Sequence, residues 1–193
     1  MGDFSQLDFV LENRDLIRGP IVEIGSKDYG NTNNFRSYFD NETYLGVDQE
    51  PGKGVDVICD FTSDFDSITR DIGLKMCRTV ICLSVLEHCK HPFKMAENIG
   101  RLLANGGVLF VSVPFVWNIH AFPDDYWRFT PSSLPILFSD LQLLQERSYY
   151  STKIRGEKLP LDAKIKVWGM TSKYSYTMFP AMVNGLMVKQ NGS

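Results

Sequence analysis

Strand-like and helix-like segments alternate along most of the chain, and this alternation restricts the fold more than any other feature. Residues 21–24 (IVEI), 43–47 (TYLGV), 55–59 (VDVIC), 78–83 (RTVICL) and 108–113 (VLFVSV) are short apolar runs of strand composition. The fourth is apolar nearly throughout, as a strand covered on both faces should be. Helical signals fall between them, at 35–39, 67–74 and 92–103. In the last of these Phe93, Ala96, Ile99, Leu102 and Leu103 share one face, Pro92 suits the first turn, and Asn105-Gly106-Gly107 stops the helix. Residues 4–18 place Phe4, Leu7, Val10, Leu11 and Ile17 toward the domain as one or two amphipathic turns, ended by Gly19-Pro20. Residues 132–138 read as a short helix. Residues 143–150 and 182–189 read as last strands that can pair antiparallel at one edge.

Such alternation builds right-handed crossovers and a mostly parallel sheet. The expected fold is α/β, with about seven strands, an antiparallel edge pair and helices on both faces. The 193 residues suffice for one domain of this kind, expected over 1–193 with a variable insert at 152–180. In open parallel sheets ligands bind beyond the carboxyl ends of the strands, near the point where strand order reverses. The residues at those ends are Glu23-Ile24-Gly25-Ser26, Asp48-Gln49, Asp60-Phe61, Ser84 through His88, and Pro114-Phe115. Three acidic residues at three successive strand ends are the most informative pattern, because a carboxylate there needs hydrogen bonds or a cation.

Nucleotide-like ligands compete for this arrangement. A dinucleotide needs G-x-G-x-x-G, yet Lys27 stands at the second glycine position. A phosphate-binding P-loop needs a lysine where Asn31 stands. S-adenosylmethionine carries no phosphate; its sulfonium, amino group and ribose diol suit carboxylates.

The segment 23–30 (EIGSKDYG), Asp48, Asp60-Phe61 and the run Val85-Leu86-Glu87-His88 together resemble class I S-adenosylmethionine-dependent methyltransferases, most closely the small type 11-like ones. The resemblance covers roughly residues 21–134, with a family-like ending at 182–189. It implies a Rossmann-like fold and S-adenosylmethionine as cofactor. Glu23 and Gly25 match the acidic residue and first glycine of that family's acidic-x-Gly-x-Gly-x-Gly motif, while Lys27 and Tyr29 replace the other two glycines. By the resemblance, Glu23 positions the methionine part, and Gly25 and Ser26 bring backbone close to the cofactor. Asp48, with Gln49 beside it, takes the ribose hydroxyls, and Asp60-Phe61 holds the adenine. Leu83 and Ser84 face the amino-acid part. Glu87-His88 either contributes to the cofactor site, through His88, or begins the next helix.

Acceptor chemistry is expected in residues 117–130 (WNIHAFPDDYWRFT), similar to H-x-x-P-x-D-Y-W-R-F-T runs after strand five in that family. His120 is the candidate general base for a hydroxyl acceptor, since its ordinary pKa lies near neutrality. Asp124, Tyr126, Trp127 and Arg128 are the candidate acceptor-binding residues. The competing structural reading packs the aromatics on the sheet and pairs Asp124 or Asp125 with Arg128. Within the insert, Trp168, Met170, Tyr174, Tyr176 and Phe179 are candidates for an acceptor pocket, a dimer surface or covered core.

The net charge of −3 gives no global pull toward nucleic acid, so none is expected as partner. No run approaches the ~20 apolar residues of a membrane span, so no membrane is expected either. Cys59, Cys77, Cys82 and Cys89 form no CxxC pair and no zinc-type spacing with histidine; reduced core thiols in a cytoplasmic protein are expected, without a metal. No secretory leader or lipidation signal is read at the start. The leading expectation is methyl transfer to a small-molecule or sugar-like acceptor, at a hydroxyl. The alternative, motivated by the altered glycine loop, is a methyltransferase-like domain that binds the cofactor or a partner without turnover. The oligomeric state is not legible in the sequence.

Overall fold

The computed structural model describes residues 4–30, 32–120, 124–152, 157–162 and 180–190. A mixed sheet carries β1 (Ile21–Ile24), β2 (Tyr44–Asp48), β3 (Val57–Ile58), β4 (Cys77–Leu83), β5 (Leu103–Pro114), β6 (Leu141–Leu143), β7 (Tyr149–Thr152), β8 (Lys158–Pro160) and β9 (Pro180–Lys189). Its order is β3-β2-β1-β4-β5-β9-β7-β8, with β6 also paired to β9. Strands β1 to β5 run parallel. The chain winds outward from β1 to β3 and then returns to β4 on the other side of β1. That reversal opens a crevice at the carboxyl ends of β1 and β4.

Strand β9 enters between β5 and β7, antiparallel to both, and is matched to β5 from Val108↔Val188 to Pro114↔Met182. Among the described residues the sheet therefore has nine strands rather than about seven, and its antiparallel part is larger than one edge pair. The run expected as one strand at 143–150 is two short strands, β6 and β7, split by a 3-10 turn at Gln145–Arg147. The polar Gln-Glu-Arg triplet interrupts the apolar alternation, and Arg147 leaves the sheet to pair with Asp15 at 3.0 Å. Strand β8 belongs to the 152–180 insert. Of that insert, Trp168, Met170, Tyr174, Tyr176 and Phe179 lie outside the described residues.

Three helices, α2 (Phe65–Ile72), α3 (Pro92–Leu102) and α4 (Leu134–Leu137), lie over one face, where Ile68, Ile99, Leu102 and Leu134 pack on Val22, Val80, Leu109 and Val111. The other face is covered by α1 (Phe4–Glu12) and a 3-10 turn at Phe35–Tyr38. There Phe9 packs edge-on against Phe110 and Tyr149, at 5.6 and 5.7 Å between ring centres. Full burial of a Phe side chain contributes about 2–3 kcal/mol. The face of α1 that meets the sheet overlaps only in part with the one apolar periodicity selects, sharing Val10. Leu7 and Leu11 are half-buried, while Ser5, Gln6, Phe9, Val10 and Asn13 are buried. No helix among the described residues is long and apolar enough to cross a membrane. The four cysteines are free and buried.

Candidate functional site

The carboxyl ends of β1 and β4 face a cavity of about 90 Å³. Five expected cofactor residues line it: Glu23, Gly25, Ser26, Leu83 and Ser84. So do Gln6, Lys27, Tyr29, Thr32, Asn33, Phe35 and Ile81, which sequence reasoning did not select. The sequence carries no signal for Gln6, because a glutamine on an amphipathic helix ordinarily marks the solvent side.

Glu23 shares a face of β1 with Ile21 and alternates with Val22 and Ile24, so its side chain meets the α1 face beside Ile21. Tyr44 Oη donates a hydrogen bond of 2.8 Å to Glu23 Oε2. Burial outweighs that bond and raises the Glu23 carboxyl to about 7. Two other polar groups of the cavity wall are buried without partners: Ser26 Oγ and Asn33 Nδ2. A cavity with a carboxyl short of donors and a hydroxyl and an amide short of partners fits a ligand that has both a cationic group and an acceptor.

Two backbone positions there are constrained. Gly25 has φ +77, and a Cβ on it would collide with Val85 Cγ2. Ser84, at φ +55, is the one non-glycine residue with positive φ among those described. Its hydroxyl accepts a 2.7 Å hydrogen bond from Gln6 Nε2. That bond begins a buried polar chain. Gln6 Nε2 also reaches Ser112 Oγ at 3.2 Å, Ser112 donates to Asn184 Oδ1 at 2.8 Å, Asn184 donates to Ser151 Oγ at 3.2 Å, and Ser5 donates to Ser151 at 3.0 Å. Helix α1 is thereby hydrogen-bonded to the ends of β4, β5, β7 and β9.

The loop after β1 compensates for its lost glycines across the site. The Lys27 stem lies over Gly52, where a Cβ would approach Lys27 Cγ to 2.9 Å. Gly54, at φ +90, admits Ser26 O, which a Cβ would meet at 2.5 Å. Lys27 Nζ pairs with Glu50 at 2.6 Å, and Lys53 with Asp28 at 2.6 Å. Asp48 accepts the Lys27 amide at 3.2 Å and the Glu50 amide at 3.1 Å, so it ties this loop to the end of β2. Asp48 is not among the cavity-lining residues.

The remaining cofactor candidates also stand outside the cavity lining. Asp60 accepts from Gln49 Nε2 at 3.1 Å and from the Thr62 amide at 2.8 Å, at an exposed turn. Phe61 is 1% exposed and sits in the core, its carbonyl held by Asn98 Nδ2 at 2.8 Å. His88 turns toward the loop after β5, with Nδ1 2.6 Å from Asp124 O. The Glu87-His88 pair does not start a helix; it lies in a 3-10 turn at Leu86–His88, before α3 begins at Pro92.

The loop after β5 is organised by one ion pair. Arg128 grips Asp125 through two nitrogens, at 2.5 and 2.8 Å. This interaction holds the Asp125 carboxyl well below the usual carboxylate range. Asp125 also accepts the His120 amide at 2.8 Å and lies 3.1 Å from His120 Nδ1. Asp124 instead accepts the Tyr126 hydroxyl at 2.6 Å, and Trp127 Nε1 donates to Cys89 O at 2.8 Å. Tyr126 and Trp127 remain partly exposed. Residues 121–123 of this loop lie outside the described residues. His88 and His120 approach edge to face, with ring centres 4.9 Å apart. Beneath them Glu87 is 1% exposed, and burial raises its carboxyl to about 8.

No protein-family model and no curated protein matches the chain. Solved structures do. An S-adenosylmethionine-dependent methyltransferase from Archaeoglobus fulgidus superposes with TM-score 0.63 at 14% identity, over 96% of this chain and 93% of that one. The 1,6-didemethyltoxoflavin-N1-methyltransferase of Burkholderia thailandensis, solved with S-adenosylhomocysteine bound, gives TM-score 0.60 at 12% identity, over 97% and 77%. The N-methyltransferase NodS of Bradyrhizobium japonicum gives 0.58 at 11%, over 97% and 93%. The chain has the fold of the class I S-adenosylmethionine-dependent methyltransferases.

Proposed function

We propose that the protein binds S-adenosylmethionine at the ends of β1 and β4 and transfers its methyl group to a small-molecule acceptor, at a hydroxyl. The observation that carries this reading is the composition of the cavity wall. Glu23 is a half-buried carboxyl with one donor, and Ser26 Oγ and Asn33 Nδ2 are buried without partners. An amino acid's ammonium and carboxylate would meet these groups with the right polarity.

The cofactor supplies an activated methyl on a sulfonium when bound. The chain's own contribution is placement and proton handling. Ionised Glu23 attracts the cationic amino group, and Ser26 and Asn33 donate to the carboxylate. Gly25 admits close approach of the ligand to backbone. Asp48 serves the ribose by fixing the loop that surrounds it. Asp60 takes the adenine edge in this reading, and Phe61 supports its turn from below. On the acceptor side the His120–Asp125 contact orients the imidazole, as a carboxylate does in a histidine–aspartate dyad, leaving Nε2 to take the hydroxyl proton. Tyr126 and Trp127 supply an apolar wall.

A second reading, binding without turnover, is motivated by the altered loop after β1, where Lys27 and Tyr29 stand in place of two glycines. Calorimetry with S-adenosylmethionine, S-adenosylhomocysteine and NAD separates the cofactor question from the catalytic one. Heat from the first two and none from NAD is expected; no heat from either would overturn the proposal. A methyl-release assay across hydroxyl, amine and carboxylate acceptors then tests turnover. His120→Ala should lower the rate at least tenfold with cofactor affinity unchanged.

A further inference from the structure

A second group of ionisable side chains lies past the end of β4, and the cavity does not include it. One donor atom each from Glu87, His88 and His120 lies within 4.8 Å of the others. Neither Glu87 carboxylate oxygen accepts a hydrogen bond from another described residue, although the residue is buried. Interiors rarely leave such a group unanswered, because the missing interactions cost several kcal/mol. Its nearest basic contact is His88 Nε2, at 3.9 Å from Oε1. The guanidinium of Arg128 is already committed to Asp125.

The imidazoles are supported from behind. His88 Nδ1 faces the Asp124 carbonyl, and His120 Nδ1 faces the Asp125 carboxylate. Both contacts favour the tautomer with hydrogen on Nδ1, which leaves each Nε2 lone pair free. Histidines that ligate metals are held in this way, by a carbonyl or carboxylate on the far nitrogen. A carboxylate that lacks donors, two rear-supported imidazoles and their mutual proximity are three separate observations with one common answer.

We propose that Glu87, His88 and His120 bind one divalent first-row transition ion. Two imidazoles and one carboxylate are a donor set that suits zinc or ferrous iron, and they leave at least one position open to water or a substrate oxygen. With ligand distances of about 2.1 Å, neighbouring donors in a tetrahedral site stand about 3.4 Å apart, so the bound ion draws the outermost donors inward by about 1 Å. Where the methyl-transfer reading holds, an ion held here would acidify an acceptor hydroxyl, whose proton would pass to solvent water, and the base role of His120 would belong to the metal-free protein. The binding claim does not depend on that reading.

The test uses the whole chain, stripped with chelator and free of S-adenosylmethionine. Zinc is titrated by calorimetry and cobalt by visible absorption, with magnesium as control. One zinc per chain is expected, no magnesium binding, and a cobalt spectrum without a sulfur-to-metal band. Glu87→Gln and His120→Ala should each weaken zinc binding at least tenfold. Absence of saturable one-to-one zinc binding would overturn the proposal, as would unchanged affinity in the two variants. A sulfur-to-cobalt band would move the ion to a cysteine and overturn it too. Thermal melts confirm that each variant is folded. His120→Ala, at a partly exposed ring, keeps the test decisive if the buried Glu87→Gln does not fold. Cofactor calorimetry on the same samples reports separately on the methyltransferase reading.

Discussion

Two glutamates, one half-buried and one buried, sit one strand apart at the carboxyl edge of the sheet, and their surroundings differ. Glu23, within β1, keeps one strong donor, the Tyr44 hydroxyl, and faces a cavity whose other polar groups lack partners. Glu87, beyond β4, has no hydrogen-bond donor among the other described residues and lies under two imidazoles. Both carboxyls are raised mainly by burial, to about 7 and about 8. A carboxyl with space beside it suits an organic cation that enters and leaves. A carboxyl with imidazole nitrogens beside it suits a compact ion. The same desolvation thus prepares two kinds of site, and what distinguishes them is the neighbouring chemistry.

The largest expected effect concerns the support over Glu87. Arg128→Ala removes both bonds to Asp125, whose side chain is 2% exposed, and leaves that carboxylate buried without its cation. A loss of about 3 kcal/mol is expected in urea unfolding. His120 should lose its orientation with it, so zinc affinity falls while S-adenosylmethionine affinity holds. A parallel loss of cofactor affinity would mean that the two sites are one.

Glu23→Gln separates stability from binding. The folded carboxyl titrates near 7 and the unfolded one near 4.5, so between these values the folded state holds the extra proton. Stability contributed at this position is therefore undiminished below pH 4.5 and declines as pH rises through 7. Glutamine, which can still accept from Tyr44, escapes that decline. The variant should match the parent in stability at pH 4.5 and exceed it by about 2–3 kcal/mol at pH 8. Its affinity for S-adenosylmethionine should fall at least tenfold. A variant that is more stable and still binds normally would sink the role given to Glu23.

Gly25→Ala should cost about 1–2 kcal/mol, from the left-handed backbone and the collision with Val85. Because Val85 precedes Leu86 and Glu87, the displacement tests whether the glycine loop and the metal-type cluster move together. Zinc affinity that holds while cofactor affinity falls would keep them distinct.

What the sequence disclosed follows from which contacts are local. The alternation of strands and helices placed β1, β2, β4 and β5, and with them Glu23, Gly25, Leu83 and Ser84 at a shared crevice. The Asp60-Phe61 turn was legible as a strand end, yet not the burial of Phe61, which depends on Asn98 from α3. Gln6 escaped notice because its partners, Ser84 and Ser112, are contributed by distant strands. The polarity of the sheet beneath α1 decided which helix face turned inward. The absence of a metal was expected from spacing alone, but Glu87-His88 and His120 belong to separate strand-end loops, and only the parallel pairing of β4 with β5 makes those loops neighbours.

The smallest effect isolates the backbone beside Glu87. Ser84 holds φ +55 and accepts from Gln6. Ser84→Ala keeps the unfavourable conformation and loses the acceptor, leaving the Gln6 amide with only its longer bond to Ser112. A loss of about 1 kcal/mol follows. Ser84→Gly loses the same acceptor but relieves the backbone by a similar amount, about 1 kcal/mol, so its net change is near zero. The difference between the two variants reads the strain directly, free of the hydrogen bond they both lack. If glycine proves no better than alanine, the polar chain from α1 rather than the crevice sets this conformation. If glycine is better and cofactor affinity still drops, the strained turn is held in place for the ligand, on the Glu23 side of the divide.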